Sequence, residues 1–173
     1  MRFPVLALVL VTFACGGKEE AKTPAAAVQA VDRLLPADPG AALSVKEAKE
    51  KGPGEEVVVV GRVRSIVKGY ATFNLIDASL KYCGEVPGSM TDLTPWDYCC
   101  DPPDAVAAAT LTVEVRGDDG RALKGAMPSL RLLDMVVVKG TVEKDEHGNT
   151  TIVATGWFRR ERPELPSGLK WPD

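Results

Sequence analysis

From residue 55 onward the chain alternates between apolar and polar side chains with a period of two. In EEVVVVGRVRSIVKG (55–69) β-branched residues dominate, and in YATFNLIDASL (70–80) Phe73 and Leu75 alternate with Thr72 and Asn74. TLTVEVRG (110–117) sets Leu111, Val113 and Val115 against Thr112, Glu114 and Arg116, and MVVVKGTVEKD (135–145) and TTIVATGWFRR (150–160) follow. That period belongs to strands with one buried face, so five strands are predicted. Gly61, inside the first, marks a bulge or bend that lets one long strand serve both halves of a curled sheet. LSVKEAKEKGPG (43–54) breaks the alternation: Ser44 suits an N-cap, Glu47 completes a capping box, and Gly52, Pro53 and Gly54 end the helix. Between strands three and four, DDGRALKGAMPSLRLLD (118–134) predicts a turn and then a short apolar helix from about Pro128. Gly148 and Asn149 suit a tight hairpin between the last two strands. Pro102 and Pro103 stiffen the approach to DAVAAAT, a short turn of helix before the third strand.

Five strands, a kinked first strand and a small helix between strands three and four are the element order of the OB-fold, a Greek-key barrel. VVVVGRV and the hairpin VVVKGTVEKDEHGNTTIVATGWF resemble OB-fold families, including exported bacterial OB-fold proteins and the tRNA-anticodon-like group. The resemblance covers about residues 55–160 and implies a mainly β, five-stranded OB-like barrel. An open meander or sandwich is the structural alternative. Fold alone carries no function.

The N-terminus gives an address. MRFPVLALVLVTFA (1–14) is a basic start followed by an apolar run shorter than the roughly 20 residues of a membrane-spanning helix, and it fits a signal peptide. Cys15 follows directly, flanked by Ala14 and Gly16, and resembles the lipidated cysteine of bacterial lipoproteins. Thr12 and Phe13 depart from that pattern. With the barrel, the whole resembles small uncharacterised exported bacterial lipoproteins with an OB-like domain, which implies a membrane-anchored protein of the cell envelope facing the periplasm or exterior. The expected layout is a signal peptide (1–14), a lipidated Cys15 with a flexible tether to residue 41 holding one helical turn around Val28 to Leu35, a domain (42–162) and a tail (163–173).

The segment SLKYCGEVPGSMTDLTPWDYCCDPP (79–103) concentrates the candidate chemistry. It lies in a loop (79–109) far longer than an ordinary hairpin connection of about 2–5 residues, with few apolar residues to hold it. In an exported protein a disulfide is the expected staple. Cys83 with Cys99 or Cys100 would close a loop of about 16 residues, worth roughly 3 kcal/mol, and leave one thiol over. The competing readings are a metal site of Cys83, Cys99, Cys100 and a fourth ligand such as His147 or Asp101, or a thiol-redox centre. No CxxC spacing supports structural zinc. Asp97, Asp101 and Asp104 lack the spacing of a calcium loop.

Charge narrows the partners. The 173 residues carry 21 basic and 24 acidic groups; without residues 1–14, which hold one Arg, the net charge is −4. OB barrels bind oligonucleotides or oligosaccharides across strands two and three, where Tyr70 and Phe73 lie beside Arg62, Arg64 and Lys68. With Trp96 and Tyr98 of the loop, these are the binding-surface candidates. A net acidic, exported chain that is 6% aromatic argues against nucleic acid, which needs a basic groove and stacking platforms. The only histidine, His147, falls in the hairpin turn, and no serine motif or phosphate loop stands out. RGD at 116–118 reads as chance in a turn. The sequence therefore implies a non-enzymatic binding or assembly module without cofactor, its partner an unknown envelope protein or small ligand.

Overall fold

The computed structural model describes residues 29–86, 94–165, 167–168 and 170–172. Its strands are β1 (Leu43–Ser44), β2 (Glu56–Ile66), β3 (Thr72–Ile76), β4 (Thr110–Glu114), β5 (Met135–Lys144) and β6 (Thr150–Glu161), with short helices α1 (Val45–Lys49) and α2 (Pro103–Ala108). They hydrogen-bond in the order β1-β2-β3-β4-β6-β5, and β2 pairs again with β5. The ring therefore closes on itself. Four of its seams are antiparallel and β4–β6 is parallel. That is the strand order and polarity of an OB-like Greek-key barrel, with β1 as a two-residue addition at the edge.

Closure depends on β2. Its first half pairs with β5 from Glu56 to Arg62 and its second half with β3 from Arg62 to Ile66, across a register shift between Val63 and Ser65. The bend expected at Gly61 lies just beyond it. Gly61 itself is required for close approach, since a Cβ there would sit 2.6 Å from the Ile76 carbonyl oxygen and 2.8 Å from Leu75 Cγ. Inward positions Val57, Val59 and Val63 meet Phe73, Leu75, Val113, Val136, Val138, Ile152 and Trp157 in one core. Phe73 and Trp157 touch edge to face at 6.0 Å.

The capping box forms as expected. Ser44 Oγ accepts from the Glu47 amide at 3.2 Å, and the Glu47 carboxylate accepts from the Ser44 amide at 2.7 Å. α1 buries Val45 and Ala48 against the barrel. The helix expected from Pro128 is absent: residues 128–134 form two separate turns, closed by Leu130 N to Met127 O at 3.0 Å and Asp134 N to Arg131 O at 3.2 Å. Leu133 has a φ of 65°, which interrupts a right-handed helix. The buried Asp134 carboxylate instead organises this stretch, accepting from the Arg131 amide at 2.9 Å and from Arg162 Nε at 2.7 Å. Met127, Leu130 and Leu133 are still buried, so the apolar signal was genuine and its periodicity belonged to turns.

Residues 29–40, expected as tether, run along the barrel. Val31 N donates to Ala126 O at 2.7 Å, Leu35 N to Trp157 O at 2.8 Å, and Trp157 N to Arg33 O at 2.9 Å. Arg160 clamps Asp38 at 2.7 Å. The strap fits because Gly156 lacks a side chain: a Cβ there would lie 2.7 Å from Leu35 Cδ2 and 2.9 Å from Arg33 O. Extended backbone replaces the helical turn expected up to Leu35, because the strap supplies hydrogen bonds to a stretch of β6 that β4 does not reach. The segment expected as a signal peptide and Cys15 lie outside the described residues. Among the described residues no helix is long and apolar enough to cross a membrane.

Candidate functional site

The cysteine loop is held by backbone and packing. Cys83 N donates to Asp97 O at 2.7 Å and Gly84 N to Pro95 O at 2.8 Å, so the two arms of the loop pair directly. Cys83 opens a 3-10 turn (Cys83–Glu85), and Asp101 N closes a turn on Tyr98 O at 3.3 Å. Beneath them a second core gathers Ile76, Tyr98, Val106, Ala109 and Leu133, with Tyr82, Trp96 and Trp171 packed against it. Trp171 reaches back from the tail to lie 6.3 Å from Trp96. The loop therefore has the small core that its composition had not suggested.

The disulfide expected between Cys83 and Cys99 or Cys100 is not shown at bonded distance. Their sulfurs stand 2.8 Å and 3.9 Å from Cys83 Sγ, beyond the bonded distance of about 2.05 Å. The backbone pairs the two arms of the loop, and that pairing brings the three sulfurs together. All three sulfurs lie within 4.8 Å of one another, Cys83 buried and the others exposed. The thiol contact from Cys83, followed by burial, pushes the Cys99 thiol up to about 12, and the same causes raise Cys100. Both are protonated at neutral pH while no ion or oxidant competes for them.

A shallow groove runs beside this cluster. One concavity of about 610 Å³ is lined by Arg64, Trp96, Asp97, Tyr98, Cys99 and Asp101, among others. A second of about 500 Å³, bounded by Lys49, Asn74, Thr112, Glu114, Asp145 and Asn149, among others, adjoins it at Arg64 and Ala107. Arg64 is exposed and makes no ion pair or hydrogen bond among the described residues. Lys49 is held by the carbonyl oxygens of Ala107, Ala108 and Thr110 at 3.2, 2.8 and 3.0 Å, and its burial lowers its pKa. Asn74 and Thr112 are linked at 3.2 Å across the β3–β4 seam.

Of the other candidates, Trp96 and Tyr98 line the groove and the rest fall elsewhere. Phe73 is a core residue because β3 is covered on both faces. Arg62 is occupied by the loop, bonding Glu85 at 2.8 Å and lying 5.3 Å above the Tyr82 ring. Tyr98 is 6% exposed, and burial raises its phenol pKa. Trp96 is half-buried, and Tyr70 is exposed at the β2–β3 turn, away from the groove lining. His147 is exposed in the hairpin, as expected, and Arg116 pairs with Glu114 and Glu143 at 2.8 and 2.6 Å. The groove residues that sequence reasoning missed include Lys49, Asp145 and Asn149. Lys49 sits on a helix and the others in a hairpin, so no strand alternation points to them.

No family model and no curated protein matches the chain. Among solved structures it is similar to the hypothetical protein ygiW from E. coli, at 16% identity over 69% of this chain and 90% of that one, with a TM-score of 0.39. It is also similar to OBody AM1L10 bound to hen egg-white lysozyme, at 17% identity over 73% and 99%, with a TM-score of 0.42. A third is the aspartyl tRNA synthetase from Entamoeba histolytica, at 11% identity and a TM-score of 0.41, where 95% of this chain spans 30% of that one. These scores are low; the OB-like barrel is established by the strand order and closure.

Proposed function

We propose that this chain is a non-enzymatic binding module of the bacterial cell envelope, anchored by lipid on Cys15, with the groove across Arg64 as its contact face. The observation that carries the reading is Arg64. It is an exposed cation without an intramolecular partner among the described residues, at the point where two concavities meet. A cation so placed is available to a ligand, whereas Arg62, two positions earlier on the same outward face, is committed to Glu85. The neutral polar lining, with Asn74, Thr112, Asn149 and Thr151, suits a polar ligand such as a peptide segment or oligosaccharide. Acidic Asp97, Asp101, Glu114 and Asp145 in the same lining disfavour a polyanion.

Pull-down from envelope extracts tests the groove, with the full chain compared to Arg64→Glu. The partner retained by the parent should be lost by the variant at unchanged melting temperature. Equal retention would remove the groove as the contact face. Mass spectrometry of the N-terminal peptide tests the anchor, which predicts a mature chain beginning at lipidated Cys15. An unmodified peptide with another start would leave a binding module without a lipid tether.

A further inference from the structure

We propose that Cys83, Cys99 and Cys100 together bind one thiophilic metal ion, monovalent copper, in a three-coordinate all-sulfur site. The three sulfurs converge within 4.8 Å from two separate arms of the loop. A disulfide engages only two of them, and pairing the adjacent Cys99 and Cys100 strains the peptide between them. A metal ion takes all three. Thiolates about 2.3 Å from one ion stand about 3.8 Å apart in a tetrahedron and about 4.0 Å apart in a trigonal plane. Cys83 and Cys100, at 3.9 Å, already have that spacing. Cys99, at 2.8 Å from Cys83, must swing outward by about 1 Å, a small rotation for an exposed side chain in a turn.

The donor set selects the ion. Among the described residues no histidine or carboxylate joins the three sulfurs within the same distance. Structural zinc sites close with four protein ligands, whereas three thiolates complete a trigonal site for soft Cu(I). Three thiolates and one Cu⁺ leave a charge of −2. Lys46 and Lys81 line the concavity of about 440 Å³ that Cys100 shares with Asp101, and they outnumber that carboxylate. Binding releases the three thiol protons to solvent and transfers no electron. The Cys83–Asp97 and Gly84–Pro95 backbone contacts hold the two arms together, so the site is shaped before the ion arrives. Cys99 also lines the Arg64 groove, but copper binding does not require that groove to hold a partner.

The test titrates the full chain, reduced and anaerobic, with Cu(I) delivered from a chelator of known affinity, and repeats the titration with zinc. One Cu(I) should bind per chain and should block alkylation at 83, 99 and 100 together. Cys83→Ser, Cys99→Ser and Cys100→Ser should each weaken binding by at least about tenfold. Cys100→Ser is the decisive variant, because that side chain is exposed and its replacement should leave the barrel's melting unchanged. Three results would each overturn the proposal: uptake insensitive to Cys100→Ser, tighter binding of zinc than of copper, or no copper uptake by the reduced chain.

Discussion

Arg62 and Glu85 form an ion pair, Nη2 to Oε1 at 2.8 Å, that joins the outer face of β2 to the turn carrying Cys83. The two side chains are only 17% and 31% exposed, so the pair is poorly screened. The same guanidinium donates to the Ala78 and Leu80 carbonyl oxygens at 3.3 and 3.4 Å. One side chain thus fixes the near arm of the cysteine loop. Arg62→Ala should loosen that arm by about 1–3 kcal/mol while the barrel holds. Amide hydrogen exchange is the measurement: Cys83 and Gly84 should exchange faster, and Val59 and Val138 should not change. Uniform acceleration would mean that loop and barrel open as one unit.

Val59 sits opposite Val138 in the β2–β5 seam with no exposed surface. Val59→Asp would place a carboxylate among valines with no cation to meet it, at the seam that closes the ring. The domain should be unfolded at room temperature, as read by circular dichroism. A cooperative melt close to the parent's would mean that the barrel does not close through this face.

The barrel was legible because its strands alternate cleanly, and β2, β4 and β6 place Val59, Val113 and Ile152 inward where the period of two requires it. The capping box was legible too, since Ser44 and Glu47 satisfy each other locally. Three features were not. Residues 29–40 have the composition of a linker, and their docking depends on room left by Gly156, which no local pattern reveals. Residues 128–134 are apolar at helix-like spacing, yet their backbone bonds are settled by Asp134 and Arg162, which are far apart in sequence. The cysteine loop looked unsupported because its core partners, Ile76, Leu133 and Trp171, come from outside it. In each case the deciding contact is long-range.

The strap's clamp has a pH dependence of known sign. Hydrogen bonds from Arg160, and then from the Gly40 amide, hold the Asp38 carboxyl below its ordinary value of 3.8. A depressed carboxylate pKa adds stability that is present above the unfolded value and lost as the pH falls through the folded one. Docking of residues 29–40 should therefore be unaffected at neutral pH and weaken only below about pH 3.8. NMR titration of the Asp38 carboxyl, with the Leu35 amide as the docking reporter, should give coincident midpoints below that value. In Asp38→Asn the acid step at Leu35 should vanish; if it persists, another group controls the strap.

Tyr98 places its hydroxyl in the second core, where it has no hydrogen-bond partner among the described residues. Its ring is needed, since it packs with Ile76, Val106 and Leu133 under the cysteine turn. Its oxygen is not. A buried hydroxyl without a partner costs about 1–3 kcal/mol in lost hydration, so Tyr98→Phe should keep the packing, remove that cost and raise the melting temperature. Tyr98→Leu should lower it, because the ring's volume is lost and a cavity opens. Comparing the two variants by calorimetry separates ring from hydroxyl. If Tyr98→Phe melts below the parent, the hydroxyl is hydrogen-bonded in solution, and the cysteine turn depends on that bond as well as on the ring.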